Sequence, residues 1–294
     1  MYKGVTGMEL KHTAQREGRL SSFLLGELKM SAGLMNRLKW TDAIQVNGKP
    51  EHTDYAVKTG DRITIALDEP EPEYPAEDGN LTILYEDDHL LAVDKPAGML
   101  IHPSRSCNTG TLANFVAGYY RKTGQKSAYH PVTRLDRDTF GVVLLAKNSH
   151  IHTLLQSVAI RKVYHAYVYG QPEVQTAIID APIARKPLPS LLREIREDGK
   201  PSVTEYTVLE RKEKLCKLAL RPITGRTHQL RLHCFHMGFP ILGDPQYASA
   251  ESKGFSEQAG LLTQQLCAKE LSFEHPMTGK VISLESKLDV VCRK

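Results

Sequence analysis

The chain has 294 residues, 41% hydrophobic and 24% charged, which suits a soluble protein with one large and one small domain. Its longest apolar run, 142–146, is too short to span a bilayer, and the first ten residues lack the apolar stretch of a secretory signal. The cysteines at 107, 216, 234, 267 and 292 are odd in number and form no close CxxC pair, so they read as reduced thiols of a cytoplasmic protein.

The net charge of +4 hides an asymmetry. Residues 1–67 hold ten Lys or Arg against seven acids, residues 68–78 hold six acids and no base, and residues 79–294 hold 28 bases against 21 acids. Two basic regions thus flank an acidic connector. Basic surface favours phosphate backbones through counterion release, although solvated surface charge gives the same totals.

In chain order, Leu20, Phe23, Leu24 and Leu28 recur at helical spacing, and Ser31 can cap a second helix carrying Leu34, Met35 and Leu38. Residues 44–46, the Asn47-Gly48 turn, and 62–67 after Gly60-Asp61 read as strands joined by tight turns. The connector DEPEPEYPAED, 68–78, has prolines at 70, 72 and 75; it is stiff and self-repelling, and is expected to separate domains. Beyond it, strands are expected at 83–85, 90–93, 142–146, 163–169, 203–209, 215–220 and 281–284. Helices are expected at 111–120 and 149–160, the second capped by Ser149. This order is too irregular for repeated βαβ units. The expectation is an α+β fold: a small N-terminal α/β domain, 1–67, and a domain at 79–294 with a mixed, largely antiparallel sheet, flanking helices and a central cleft.

No GxxxxGK[ST], GxGxxG or GxSxG pattern is present, so nucleotide-cradling loops and a serine elbow find no support. The run TRLDRDTFG, 133–141, is unusually polar for the entry to an apolar strand. Arg134 and Arg137 flank Asp136 closely enough to favour its ionised form. Taken alone, such a run also fits a surface turn whose charges neutralise one another.

Its surroundings decide the matter. The run resembles the H-R-L-D-x-x-T-S-G signature of the RluA-type RNA pseudouridine synthases. DKPAGMLIHP (94–103), RKVYHAYVYG (161–170), TGRTHQLRLH (224–233) and GFPILGD (238–244) followed by Tyr247 are similar to further motifs of that family, in its order. The resemblance spans 81–248. Residues 17–67, with Arg37 and Lys39 near the second helix, resemble the alpha-L RNA-binding domain first named for a ribosomal protein. Thr133 and Phe140 depart from the pattern, standing where the family has His and Ser; this is expected to alter how RNA is held, not the chemistry.

The resemblance implies isomerisation of specific uridines in structured RNA. The reaction breaks the C1′–N1 bond, turns the uracil and rejoins it through C5. Because no atoms enter or leave, no cofactor, metal or nucleotide is expected. Asp136 maps to the catalytic carboxylate, as nucleophile or base, and Arg231 to its basic partner. Tyr164 maps to the residue that stacks on uracil and handles a proton, Arg134 to the arginine filling the space of the flipped nucleotide, and Leu230 to an apolar wall. Arg226, Lys95, Arg37 and Lys39 are expected RNA contacts. On the residues alone, Tyr164 reads rather as a core aromatic beside Tyr167 and Tyr169, and Arg134 and Arg231 equally as phosphate contacts.

His228, His233, Cys234 and His236 invite a metal. Leu230, His233 and Met237 share one helical face while His228 and His236 fall elsewhere, so none is expected. The alpha-L-like region favours large-subunit ribosomal RNA over tRNA, and the protein is expected to be a monomer without membrane contact. Two other readings are a catalytically inactive RNA-binding protein on the same scaffold and an aspartate-nucleophile nucleoside hydrolase. Retention of Asp136, Tyr164 and Arg231 argues against the first, and the lack of a second well-placed carboxylate against the second.

Overall fold

The computed structural model describes residues 8–67, 74–104, 106–187, 189–190 and 192–292. Its class is α+β: a four-stranded N-terminal sheet and a large mixed sheet of ten strands with helices against it. No described helix is long and apolar enough to cross a membrane.

In the N-terminal unit, Arg62–Leu67 lies between Met8–Thr13 and Ile44–Val46, antiparallel to both, and Lys49–Pro50 completes the sheet. Strand alternation sends Ile63, Ile65 and Leu67 into one core with Leu20, Phe23 and Leu24. Asn47 and Gly48, at φ +52° and +79°, make the tight turn the Asn-Gly pair predicts. Ser31 caps the helix Ala32–Leu38, accepting a hydrogen bond from the Leu34 amide at 3.1 Å. The first helix differs from expectation. Leu20–Ser22 runs straight into a π-helical turn, Phe23–Glu27, whose wider winding still buries Phe23 and Leu24.

Of the acidic connector, residues 68–73 lie outside the described residues. Its remainder is no free spacer. Asn114 Nδ2 donates to the Pro75 carbonyl at 2.8 Å, the Glu77 amide donates to the Asn114 carbonyl at 3.0 Å, and the Glu77 carboxylate accepts from the Gly110 amide. This segment lies on the helix Leu112–Thr123 so closely that a Cβ on Gly118 would sit 1.8 Å from the Glu77 carbonyl oxygen. The C-terminal part of the connector is thus built into the larger unit. The two units also touch directly: a ring nitrogen of His150 lies 3.0 Å from the Leu28 carbonyl, Lys29 donates to the Pro276 carbonyl, and Met277 packs against both cores.

The large sheet runs Thr176–Asp180, Val203–Lys212, Leu215–Pro222, Arg161–Tyr169, Leu266–Glu274, Phe140–Ala146, Leu90–Lys95, Thr82–Glu86. Among the described residues, one contact in it is parallel: Phe140 and Gly141 beside Cys267 and Ala268. This short seam joins two antiparallel halves. Gly141 sits there at φ +110°, and a Cβ would come within 2.3 Å of the Ala268 carbonyl oxygen, so glycine alone fits.

The strand Phe140–Ala146 is apolar throughout because both its faces are covered. Val143 and Leu145 pack with Leu112 and Val116 of the capped helix Leu112–Thr123; Val142 and Leu144 pack with Ile151 and Leu155 of the helix Ser149–Leu155. That second helix is capped by Asn148, whose side chain accepts from the Ile151 amide, rather than by Ser149. It ends at Leu155, short of the expected 160, because the chain must turn into the strand beginning at Arg161.

Candidate active site

A cleft of about 670 Å³ opens where the two half-sheets meet. It is lined by residues 100–102, 132–137 and 222–231, with Thr139, Ile160, Lys162, Tyr164 and Leu266. Among the described residues, its charged lining side chains are Arg134, Arg137, Lys162, Arg226, Arg231 and a single acid, Asp136.

Asp136 stands in the loop that feeds the buried strand Phe140–Ala146, in a turn closed by the Thr139 amide donating to the Asp136 carbonyl at 3.2 Å. Polar groups beneath the loop fix it. Thr133 accepts from the Leu144 amide through its hydroxyl at 2.9 Å, and Gln264 donates to the Thr139 hydroxyl. Thr133 is therefore a buried brace of the strand entry.

Lys95 corrects an expectation. It is no RNA contact: the side chain is 0% exposed, and its ammonium donates to the carbonyls of Pro96, Met99 and Arg137 at 2.8–2.9 Å. Three acceptors match the three donors of an ammonium. Burial draws its pKa down to about 8, opposed by the charges of Asp138 and Asp136. Lys95 thus ties the 94–99 loop to the residue following Asp136. Lys95→Met, nearly isosteric, would leave those carbonyls without a donor. The expected result is a loss of about 3 kcal/mol of stability in urea unfolding. In single-turnover assays kcat should fall while RNA affinity holds; unchanged stability would refute the bracing role.

Arg231 reaches the loop from the buried helix Gln229–His236, 95 residues downstream. Its Nη1 donates to Asp136 Oδ2 at 2.9 Å. The rest of the guanidinium is occupied: Nε and Nη2 grip Asp244 at 2.6 and 2.9 Å, and Nη2 also donates to Gln246 Oε1 at 2.9 Å. The Asp244 carboxylate is 0% exposed and accepts from the amides of Gln246 and Tyr247 as well. Burial works against the charge on Arg231, but the hydrogen bonds and charge of Asp244, followed by Asp136, outweigh it and raise the pKa. A second carboxylate is therefore near the site after all. It cannot serve as a second catalytic acid, because its two oxygens are committed to the guanidinium and to backbone amides.

One cation between two carboxylates leaves this triad with a net negative charge. Asp136 holds the exposed end of it, with 32% of its side chain accessible, and no hydrogen bond reaches its Oδ1 among the described residues. His228 stands nearby, Nε2 3.9 Å from Asp136 Oδ2 and Nδ1 3.0 Å from the Tyr247 hydroxyl. That hydroxyl also accepts from the Arg193 amide at 2.8 Å. Burial lowers the His228 pKa against the pull of Asp136 and favours the neutral imidazole. His228 holds φ +58°, uncommon for a residue with a side chain, at the entry to the helix.

Tyr164 enters from the strand Arg161–Tyr169, which pairs with Leu215–Pro222 on one side and, through a bulge at 163–164, with Leu266–Glu274 on the other. It packs against a cluster containing Leu220, Leu230 and Leu266 while also lining the cleft, so the core and cleft readings both hold. Burial first, and the charge of Asp136 second, push its phenol well above the ordinary range. Leu230, 7% exposed, forms the apolar wall beside it. Arg134 and Arg226 are exposed at the cleft, the latter donating to the Pro201 carbonyl at 3.2 Å. Arg37 and Lys39 lie elsewhere, at the end of the helix Ala32–Leu38.

The His/Cys group does not converge. His233 is buried between the Thr204 hydroxyl and the Ala181 carbonyl, His228 is engaged with Tyr247, and Cys234 is packed in the core. Among the described residues no cluster of three or more His, Cys, Asp or Glu could hold a metal ion. Asp244, Tyr247, His228 and Lys95 are the structural supports of the site. All lie within the quoted motifs, but their supporting roles depend on pairings that spacing does not disclose.

Residues 89–236 match the model of a family described as RNA pseudouridylate synthase. The chain is 35% identical to an uncharacterized RNA pseudouridine synthase of Bacillus subtilis over 90% of its own length and 93% of that protein's. It is 31% identical to the ribosomal large subunit pseudouridine synthase C of Vibrio parahaemolyticus, covering 93% and 91% of the two chains. Its fold is similar to that of a solved human protein, RNA pseudouridylate synthase domain containing 4, with a TM-score of 0.57 and 26% identity over 70% of this chain and 88% of that one.

Proposed function

Since the chain belongs to the RNA pseudouridylate synthase family, as an RluA-type isomerase acting on RNA, we propose that its substrate is large-subunit ribosomal RNA and that Asp136 carries the reaction. The observation that bears most weight is Asp136 itself: among the described residues it is the single acid lining a basic cleft, its Oδ2 fixed by Arg231 and its Oδ1 open. The basic lining suits phosphates on either side of a flipped nucleotide. The open Oδ1 is the atom to meet the sugar, as nucleophile at C1′ or as base, while the hydrogen bond from Arg231 holds the carboxylate in position.

Breaking C1′–N1 frees a uracil that must turn, and an apolar wall with a stacking ring permits turning without release. Leu230 and Tyr164 supply these. After C5 bonds to C1′, one proton leaves C5 and one is gained at N1. The raised pKa keeps the Tyr164 phenol protonated at neutral pH, so it can give a proton or a hydrogen bond but is not a standing phenolate base. The ribosomal assignment takes support from the relatives named as large-subunit enzymes and from the alpha-L-like pattern in residues 17–67.

Pseudouridine mapping in total RNA, with and without the protein, tests the substrate. Loss of one or more large-subunit positions is expected; loss confined to tRNA would refute the ribosomal reading. Uracil released from free uridine would instead indicate a hydrolase. We place the RNA-holding role in residues 1–67 and catalysis in the larger unit. A chain lacking 1–67 should modify the same uridine with roughly tenfold weaker RNA binding. Full affinity in the truncated chain would remove that division of labour.

A further inference from the structure

We propose that Trp40 is a stacking platform for an unpaired RNA base, outside the catalytic cleft. The inference rests on the reading that residues 1–67 hold RNA. Trp40 is the one tryptophan in the chain, and it is 74% exposed, whereas this residue type is usually highly buried. Nothing in the core requires it: Leu38, two residues earlier, supplies the apolar anchor of the segment.

The ring is nonetheless held in place. Lys39 Nζ lies over it, 5.2 Å from the ring centroid, and the His52 ring meets it edge-on at 5.3 Å. Its backbone is fixed as well. The Lys39 amide caps the helix Ala32–Leu38 by donating to the Met35 carbonyl, while the amide and hydroxyl of Thr41 both donate to the Leu38 carbonyl, at 3.0 and 2.8 Å. A large aromatic face held out to solvent on a pinned turn loses little freedom on binding.

Charge identifies the occupant. Lys39 lies over the ring and Arg37 is exposed three residues before it, so cations beside the ring can pair with an anionic backbone. An aromatic face beside cations is the arrangement that takes single-stranded nucleic acid: bases stack and phosphates pair with the basic side chains. A paired duplex offers phosphates but no free base face. The proposed ligand is thus an unpaired nucleotide in a loop or bulge of the RNA being modified.

Because the chain has no other tryptophan, emission excited selectively at tryptophan, where the tyrosines do not absorb, reports this site alone. The full-length protein is titrated with a hairpin RNA bearing an unpaired loop and with its fully base-paired counterpart. Saturable quenching is expected with the hairpin and not with the duplex. Trp40→Ala should weaken hairpin binding about tenfold and leave duplex binding unchanged, with Trp40→Phe keeping most of the affinity. Pseudouridine formation by the same preparations separates the two levels of the argument. Active protein showing no quenching, with equal hairpin affinity in wild type and Trp40→Ala, overturns the stacking site and leaves the enzyme assignment standing. Failure of every preparation to bind either RNA overturns both the stacking site and the RNA-holding role of residues 1–67.

Discussion

Asp136→Asn should lower pseudouridine formation on the order of 10³-fold while RNA affinity stays within a few-fold. The amide keeps the shape of the carboxylate and can still accept the 2.9 Å hydrogen bond from Arg231 Nη1, so the loop has no reason to move. What disappears is the negative charge and the open Oδ1. Affinity should come instead from phosphate contacts of residues 1–67 and of the basic lining, which the substitution does not touch. Single-turnover assays on a ribosomal RNA fragment, paired with direct binding measurements, read the two quantities separately. Retained turnover would end the catalytic assignment, and so would a collapse of RNA binding or of folding in this near-isosteric variant.

Asp244→Asn should be damaging in a different way. Asp244 does not face substrate; it orients the residue that orients Asp136. Removing its charge breaks a buried ion pair and leaves the Arg231 guanidinium with half its balance, which should lower stability by about 3 kcal/mol. With the bidentate grip gone, Arg231 can swing, and a displacement near 1 Å at a reacting group is worth about 10²-fold in rate. The signature is a fall in kcat at temperatures well below the variant's own unfolding midpoint, with KM nearly constant. If Asp244→Asn unfolds earlier yet turns over normally when folded, the residue is a structural staple only.

These two aspartates show what can be read from a linear chain. Asp136, Arg231 and Tyr164 were accessible because each sits in a motif whose order and spacing match a family, and the structure brings them to one cleft. Asp244 lay in a motif too, but its function is a bidentate contact across 13 residues of helix and loop, which no periodicity encodes. Lys95 misled for a physical reason. A lysine in a Pro/Gly loop usually points to water, and only tertiary packing brings three carbonyls around its ammonium.

The seven strands expected beyond residue 79 all form, since alternation and β-branched runs are local signals. The strand Leu266–Glu274 was missed, although it is central to the sheet. Lys269, Glu270 and Glu274 break its apolar pattern, because it meets other strands on both edges while parts of it stay near solvent. The π-helical turn Phe23–Glu27 escaped as well, its apolar spacing being compatible with an ordinary helix.

The parallel seam has a bearing on how the chain folds. The pairings of Leu90–Lys95 with Phe140–Ala146 and of Arg161–Tyr169 with Leu215–Pro222 are close along the chain, whereas Leu266–Glu274 reaches both Arg161–Tyr169 and Gly141 from far downstream. Closing so long a loop is entropically expensive, so zippering of the halves should precede the docking of this strand that unites them. Asp136 enters the strand on one side of the seam, whereas Arg231 and Asp244 belong to the other half. An intermediate with both halves formed but unjoined would have native-like secondary structure and no assembled triad. Refolding followed by circular dichroism would then run ahead of refolding followed by activity, and the lag between them would time the joining of the two halves.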